Sequence, residues 1–225
     1  MPNSNKDSRT EHYFAPKPKS KPKFGIIQTR LRGIPFKFLT ASGVFSKKRV
    51  DLGTKLLIEA MVLPESGHVL DMGCGYGAVG IAAAKLNPKL HVVMVDINER
   101  AVRLARQNLR LNGIYNAEVR KGHLYQPVED ILFHCILSNP PVSAGLAIVK
   151  AIITEAPKHM VEKATLQMVL KSKIGGKRIK KIFEEAFGNC TILARESGYR
   201  VLMAENQITH QPANPPLKRD NYKRK

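Results

Sequence analysis

This sequence predicts an α/β fold: a mostly parallel seven-stranded sheet between two helical layers, ending in a C-terminal antiparallel hairpin. Three observations predict it. From residue 65 onward, short apolar runs alternate with helical patterns, as parallel strands joined by crossover helices do. A glycine-rich turn, Asp71 to Gly77, closes the first run and opens the first helix. The last two runs, at 191–194 and 199–204, are separated by the turn Glu196-Ser197-Gly198. That gap is too short for a crossover, so the final pair must be antiparallel.

Residues 1–24 are polar, with a lysine–proline alternation from Pro16 to Lys23 that cannot pack a core, and read as a basic tail. Residues 25–64 form a lead-in segment and a helix. Phe36, Phe38 and Phe45 stand there among glycines and basic residues, and a helical pattern runs from Asp51 to Pro64. The α/β domain occupies 65–206. Its strands fall at 68–71, 90–95, 117–120, 131–137, 165–170 and the two final runs. Its helices fall at 78–86, from the Asn98 cap to Asn112-Gly113, at 146–161 with Pro157 as an interruption, and at 177–187. Residues 207–225 are a second basic tail.

The chain has 225 residues and a formal charge of +19, with 37 Lys+Arg against 18 Asp+Glu. The segments 1–24 and 210–225 carry +4 each, leaving +11 on residues 25–209, so the body itself is basic. A basic body with basic tails points to a polyanionic partner, nucleic acid first; adaptation for solubility or high salt is the plain alternative. Cys74, Cys135 and Cys190 are scattered, with no CxxC and no metal-ligand spacing, which fits a reducing compartment and no metal. No apolar run approaches the ~20 residues of a membrane span, and the first residues lack a signal-peptide core. A cytoplasmic protein with no membrane partner, monomeric by default, is expected.

Two stretches carry chemistry. In Asp71-Met72-Gly73-Cys74-Gly75-Tyr76-Gly77, alternate glycines let the backbone turn sharply and approach a ligand. Asp96 ends the next strand, about 20 residues further on, where a carboxylate accepts hydrogen bonds from ribose hydroxyls. Gly73, Gly75 and Ala78 also fit a relaxed dinucleotide pattern. Asp71, however, precedes the first glycine, where it would hold the cationic end of S-adenosylmethionine (SAM) rather than a pyrophosphate. The second stretch is Ser138-Asn139-Pro140-Pro141, closing the apolar run 131–137. Two prolines cannot continue a sheet, so the Asn139 amide and Pro140 carbonyl sit at the strand's carboxyl end, where open α/β sheets bind ligands. Two rigid oxygen acceptors there can grip an exocyclic –NH₂; a turn-capping asparagine is the plain structural alternative. A second copy, Asn214-Pro215-Pro216, lies in the polar tail with no strand before it.

These residues resemble the Rossmann-like class I SAM-dependent methyltransferases. The branch is the one with Asn-Pro-Pro after the fourth strand, and the nearest resemblance is to small-subunit rRNA guanine-N2 methyltransferases and their archaeal relatives. The segment from Phe38 through Gly43-Val44-Phe45-Ser46 to Asp51-Leu52-Gly53-Thr54 is similar to that branch's segment over the cofactor pocket. The resemblance spans roughly residues 34–205. It implies a cofactor site of Asp71, Gly73, Cys74, Gly75, Gly77, Asp96, Ile97, His123 and Asn139, with Asn139 and Pro140 catalytic. Substrate would meet Pro141, Val142, Phe45 and Phe38. Two positions depart from the pattern. Val142 stands where an aromatic commonly stacks on the base, so Phe45 or Phe38 would have to supply the ring. His123, beside Gly122, stands where an acid often meets the adenine amine, and reads equally as an acceptor or as packing.

The implied reaction is methyl transfer to a nucleobase amine in RNA: guanine N2 in rRNA, with tRNA the second choice. Such a pocket reaches only a single-stranded or flipped base. Lys47 to Arg49 and the basic run from Lys171 to Lys181 would contribute phosphate binding, a sequence-blind term. The alternatives are an adenine-amine methyltransferase on RNA or DNA, a protein-glutamine methyltransferase, and an RNA-binding module that has lost turnover.

Overall fold

The computed structural model describes residues 21–44, 46, 48–140, 145–172 and 176–208. The first two strands, β1 (Phe24–Leu31) and β2 (Ile34–Ala41), form a separate antiparallel ribbon. Arg32 and Gly33 between them both have positive φ, the two-residue hairpin turn whose twist matches its strands. The sequence pattern gives no strands here and extends the basic tail through residue 24. In the structure Lys23 N already donates to Ser42 Oγ, and Phe24 opens β1.

Helix α1 (Leu52–Ala60) follows, capped by Asp51. The order then runs β3 (Gly67–Met72), α2 (Ala78–Leu86), β4 (Leu90–Asp96), α3 (Glu99–Leu111) and β5 (Ala117–Lys121). It continues through β6 (Phe133–Ser138), α4 (Gly145–Glu155), β7 (Met160–Lys171), α5 (Gly176–Phe187), β8 (Thr191–Glu196) and β9 (Tyr199–Glu205). The main sheet has seven strands in the order β5-β4-β3-β6-β7-β9-β8, with β9 antiparallel to both β7 and β8, the latter as the short final turn requires.

Alternate strand residues feed two cores. Val69, Met94 and Leu137 pack with α1, α2, α3 and the ribbon, whereas Leu70, Val93, Val95 and Ile136 pack with α4 and α5. This makes three layers. Two asparagines one turn apart, Asn108 on α3 and Asn112 at its C-cap, hold the free edge of β2. Asn108 Oδ1 accepts from Leu39 N (2.7 Å) while its Nδ2 donates to Leu39 O (3.0 Å), and Asn112 does the same at Lys37.

One boundary differs from expectation. The predicted helix 146–161 stops at Glu155, because Pro157 lies in a 3-10 turn (Ala156–His159) and Met160 already begins β7. A proline fits the first turn of a helix but not its interior. Among the described residues no helix is long and apolar enough to cross a membrane.

Candidate active site where the strand order reverses

The chain winds from β3 outward to β4 and β5, then returns to β6 on the other side of β3. That reversal leaves a crevice at the carboxyl ends of β3 and β6. Met72 and Ser138, the last residues of the two strands, are register partners, and buried Ser138 Oγ donates to Met72 O (2.9 Å). The glycine turn and Asn139 therefore leave the sheet from adjacent points, about 4.8 Å apart in the strand-pairing direction. A cavity of about 400 Å³ opens there, bounded by the glycine turn, Asp96 to Asn98, Gly122 to Leu124, Asn139 and Pro140, with Val44 and Thr54 from the lead-in segment. That volume suits a small ligand or cofactor.

The turn is built to lie under a ligand. Gly73, Gly75 and Gly77 all have positive φ, +74°, +59° and +94°. A Cβ on Gly73 or Gly75 would meet nothing within 4 Å, whereas one on Gly77 would press on Ile81 and Ala105. The first two glycines thus keep ligand space clear, and the third lets the backbone sit against its neighbours. The backbone is tied back by Gly73 N and Cys74 N, both donating to Val95 O. Gly77, the N-cap of α2, has no side chain to cap with, and Asp71 takes over: its Oδ2 accepts from Gly80 N (2.8 Å).

Asp71 is fully buried beneath the turn. Burial lifts its carboxyl to about 7, the Gly80 N–H opposes that lift and the nearby Asp96 charge adds to it. A buried acid in this state favours a cation and disfavours a pyrophosphate. Asp96 is held from both sides, Oδ2 accepting from Gly75 N and Oδ1 from Asn98 N, each at 2.8 Å. Each oxygen keeps lone-pair capacity for a further donor such as a ribose hydroxyl. Burial pushes the Asp96 pKa up, and the N–H groups of Asn98, Gly75 and Ile97 resist that shift. Cys74 lines the cavity as a thiol, its pKa driven well up by burial and then by Asp96 and Asp71. This donor set fits SAM: cleared space over two glycines, a carboxylate for the ribose, an acid for the cationic end, and apolar walls at Val44, Ile97 and Leu124.

Across the cavity, both hydrogens of the Asn139 amide are taken by the start of α1. Nδ2 donates to Thr54 Oγ1 (2.8 Å) and to Asp51 Oδ2 (3.3 Å). That orientation turns Oδ1 away from α1 as an acceptor. Pro140 follows, buried and lining the cavity.

Of the other expected residues, Ile97 and His123 line the cavity, and His123 is exposed. Phe38 does not serve as a stacking ring. It is wholly buried, stacked on Phe36 (5.8 Å) and tilted against Tyr76 (5.5 Å), because the ribbon turns that face onto α3. Phe45, Pro141 and Val142 lie outside the described residues, as do Lys47 and Lys173. Lys180 and Lys181 form helix-surface pairs with Glu184 (3.1 Å) and Glu185 (3.7 Å). Ser138, Thr54 and Tyr76 stand inside the sequence motifs without a role assigned to them; Thr54 and Tyr76 line the cavity, and Ser138 ties β6 to β3 beside it.

Residues 35–203, most of the chain, match the family described as methyltransferase small domain. The chain belongs to this family. Among relatives of this methyltransferase-family chain, the uncharacterized protein YbxB of Bacillus subtilis is 37% identical over 198 residues, covering 87% of this chain and 98% of its own. Ribosomal RNA small subunit methyltransferase C of Aeromonas hydrophila is 32% identical, covering 81% of this chain and 53% of its own. The solved structure of the T. thermophilus 16S rRNA N2 G1207 methyltransferase (RsmC), in complex with AdoMet and guanosine, superposes with a TM-score of 0.74 at 27% identity. It is covered over 51% of its length and covers 82% of this chain. The chain thus spans about half the length of the rRNA methyltransferases it matches.

Proposed function

We propose that this protein binds SAM over the Gly73–Gly77 turn and methylates an exocyclic amine of a nucleobase in RNA, guanine N2 in small-subunit rRNA. The observation that carries the reading is the pairing of Met72 with Ser138. With Asn139 following directly and its N–H bonds taken by α1, this pairing supports an acceptor oxygen turned toward the cleared space above the glycine turn. The named activity of the similar rRNA methyltransferases and the charge of +19 support an RNA substrate.

When bound, SAM supplies an electrophilic methyl on a sulfonium, so no protein nucleophile or metal is called for. The amine is a poor nucleophile because its lone pair is delocalised into the ring. Asn139 Oδ1 and the Pro140 carbonyl accept its two hydrogens, favouring a pyramidal nitrogen whose lone pair points at the methyl carbon. With the methyl group that bound SAM would supply, the same two oxygens would stabilise the positive charge gained by the substrate nitrogen until its proton leaves to water. Alignment of this kind contributes about 7–11 kcal/mol. Asp71 and Asp96 hold the other partner still.

The test is tritium transfer from labelled SAM to separated rRNA, tRNA, DNA and protein fractions, with Asn139→Ala run in parallel. Label is expected in small-subunit rRNA as N2-methylguanine, with Asn139→Ala binding SAM like the parent and transferring orders of magnitude more slowly. Label confined to protein, to adenine, or undiminished by Asn139→Ala would overturn the assignment.

A further inference from the structure

The geometry points to Thr54 as a positioning residue for methyl transfer, acting through Asn139. This inference rests on the reading of Asn139 Oδ1 as the acceptor of the substrate amine. An asparagine amide presents a donor face and an acceptor face of nearly the same shape. Flipped, Asn139 would aim its NH₂ at the amine of the substrate, donor against donor. The Asp51 carboxylate, which can only accept, decides against the flip, and the Thr54 hydroxyl, accepting the other N–H, fixes the amide in that orientation. Thr54 Oγ1 lies 2.8 Å from Nδ2 and Asp51 Oδ2 lies 3.3 Å from it, so both N–H bonds have acceptors where α1 begins.

Asp51 alone would hold that orientation weakly, because its Oδ2 already accepts from Gly53 N (2.9 Å) and Thr54 N (3.2 Å) as the α1 cap. Its other oxygen faces the Tyr199 hydroxyl at 3.4 Å. The Thr54 hydroxyl makes the shorter contact with Asn139, and Thr54 is buried. An amide whose N–H groups are engaged carries more negative charge on its oxygen, so the same contacts strengthen Oδ1 as an acceptor. Thr54 and Asn139 are 85 residues apart in the chain and on different elements, which makes this a joint between α1 and β6.

The test compares Thr54→Val, which keeps the shape and loses the hydroxyl, with Thr54→Ser, which keeps the hydroxyl. Single-turnover transfer to an unmodified small-subunit rRNA transcript is measured alongside SAM affinity and melting temperature, with Asn139→Ala in parallel. Thr54→Val is expected to slow transfer by about 100-fold, the scale of a small misplacement of reacting groups. SAM affinity and RNA KM should stay within about threefold of the parent, the order of ordinary surface variation, and Thr54→Ser should restore most of the rate. In nitrogen-15 NMR spectra, the Asn139 side-chain amide protons should exchange slowly in the parent and rapidly in Thr54→Val, whatever the substrate. Parent-like transfer in Thr54→Val, equal loss in Thr54→Ser, an equal loss of SAM affinity, or fast exchange in the parent would each overturn the assignment. If Asn139→Ala itself turns over normally, the reading of Asn139 fails; if only Thr54→Val does, the positioning role alone fails.

Discussion

Replacing Asp71 with asparagine tests whether the acid under the glycine turn holds a cation. The side chain is buried, and its carboxyl is raised from 3.8 to about 7. A group titrating there is about one-tenth ionised at pH 6 and about nine-tenths ionised at pH 8. If the carboxylate grips the cationic end of SAM, affinity drops about tenfold, ~1.4 kcal/mol, between pH 8 and pH 6, and binding at the lower pH expels a proton. The sign for stability runs the other way. The folded, ligand-free protein keeps a proton that the unfolded chain has lost, so this group costs stability progressively from about pH 4 to 7. The full penalty, on the order of 4 kcal/mol, applies above that window. Bound SAM offsets it.

Calorimetric titration with SAM at both pH values, in two buffers of different ionisation enthalpy, reads affinity and proton release together. Asp71→Asn is the control, because the α-amino group of SAM itself titrates near pH 8. Its amide oxygen can still accept from Gly80 N, so the start of α2 stays capped. Equal affinity at the two pH values in the parent refutes the role. So does a drop and proton release that survive in Asp71→Asn.

Gly75→Ala should lose about 1–2 kcal/mol of stability, because alanine resists a φ of +59°. Its SAM affinity should fall further than that loss explains, since the added methyl meets only ligand space; parent-like binding would mean that nothing lies over the turn. Asp96→Ala should weaken SAM binding by about 1–3 kcal/mol, read by the same calorimetry, and unchanged affinity would remove the ribose contact. Deleting residues 1–20, which carry four Lys/Arg beyond the described residues, should weaken rRNA binding and flatten its dependence on salt. A salt slope identical to the parent's would show that this segment touches no phosphate.

The parts of the site legible in the sequence are those set by local pattern. Glycines after a strand, an acid at the end of the next, and two prolines after a third each announce a strand end by their own backbone chemistry. Their convergence follows from the parallel order, which the spacing of runs also reveals. Residues whose role depends on packing between distant segments are not legible. Phe38 has the company of a stacking ring, yet only the ribbon's seat on α3 decides that it faces inward. Asp51 and Thr54 belong to a segment whose resemblance places it over the pocket, but nothing local announces that Thr54 has a partner 85 residues away. The β1–β2 hairpin is hidden for a related reason: its turn rests on Arg32 and Gly33 with positive φ, and one of them is not a residue type that signals a turn. Helix α4 reads too long because the apolar spacing carries on past Pro157, where the backbone cannot.

The two asparagines that clasp β2 set a lower limit on how far this chain can be shortened. Cutting away residues 21–44 would strip Asn108, wholly enclosed, of two of its three hydrogen-bonding contacts, and would uncover Tyr76 in the middle of the glycine turn. A fragment starting at residue 50 would retain the glycine turn, Asp96 and Asn139-Pro140, yet leave an orphaned amide behind its nucleotide cradle. Engineers seeking a minimal catalyst should trim from the outer ends and spare the ribbon.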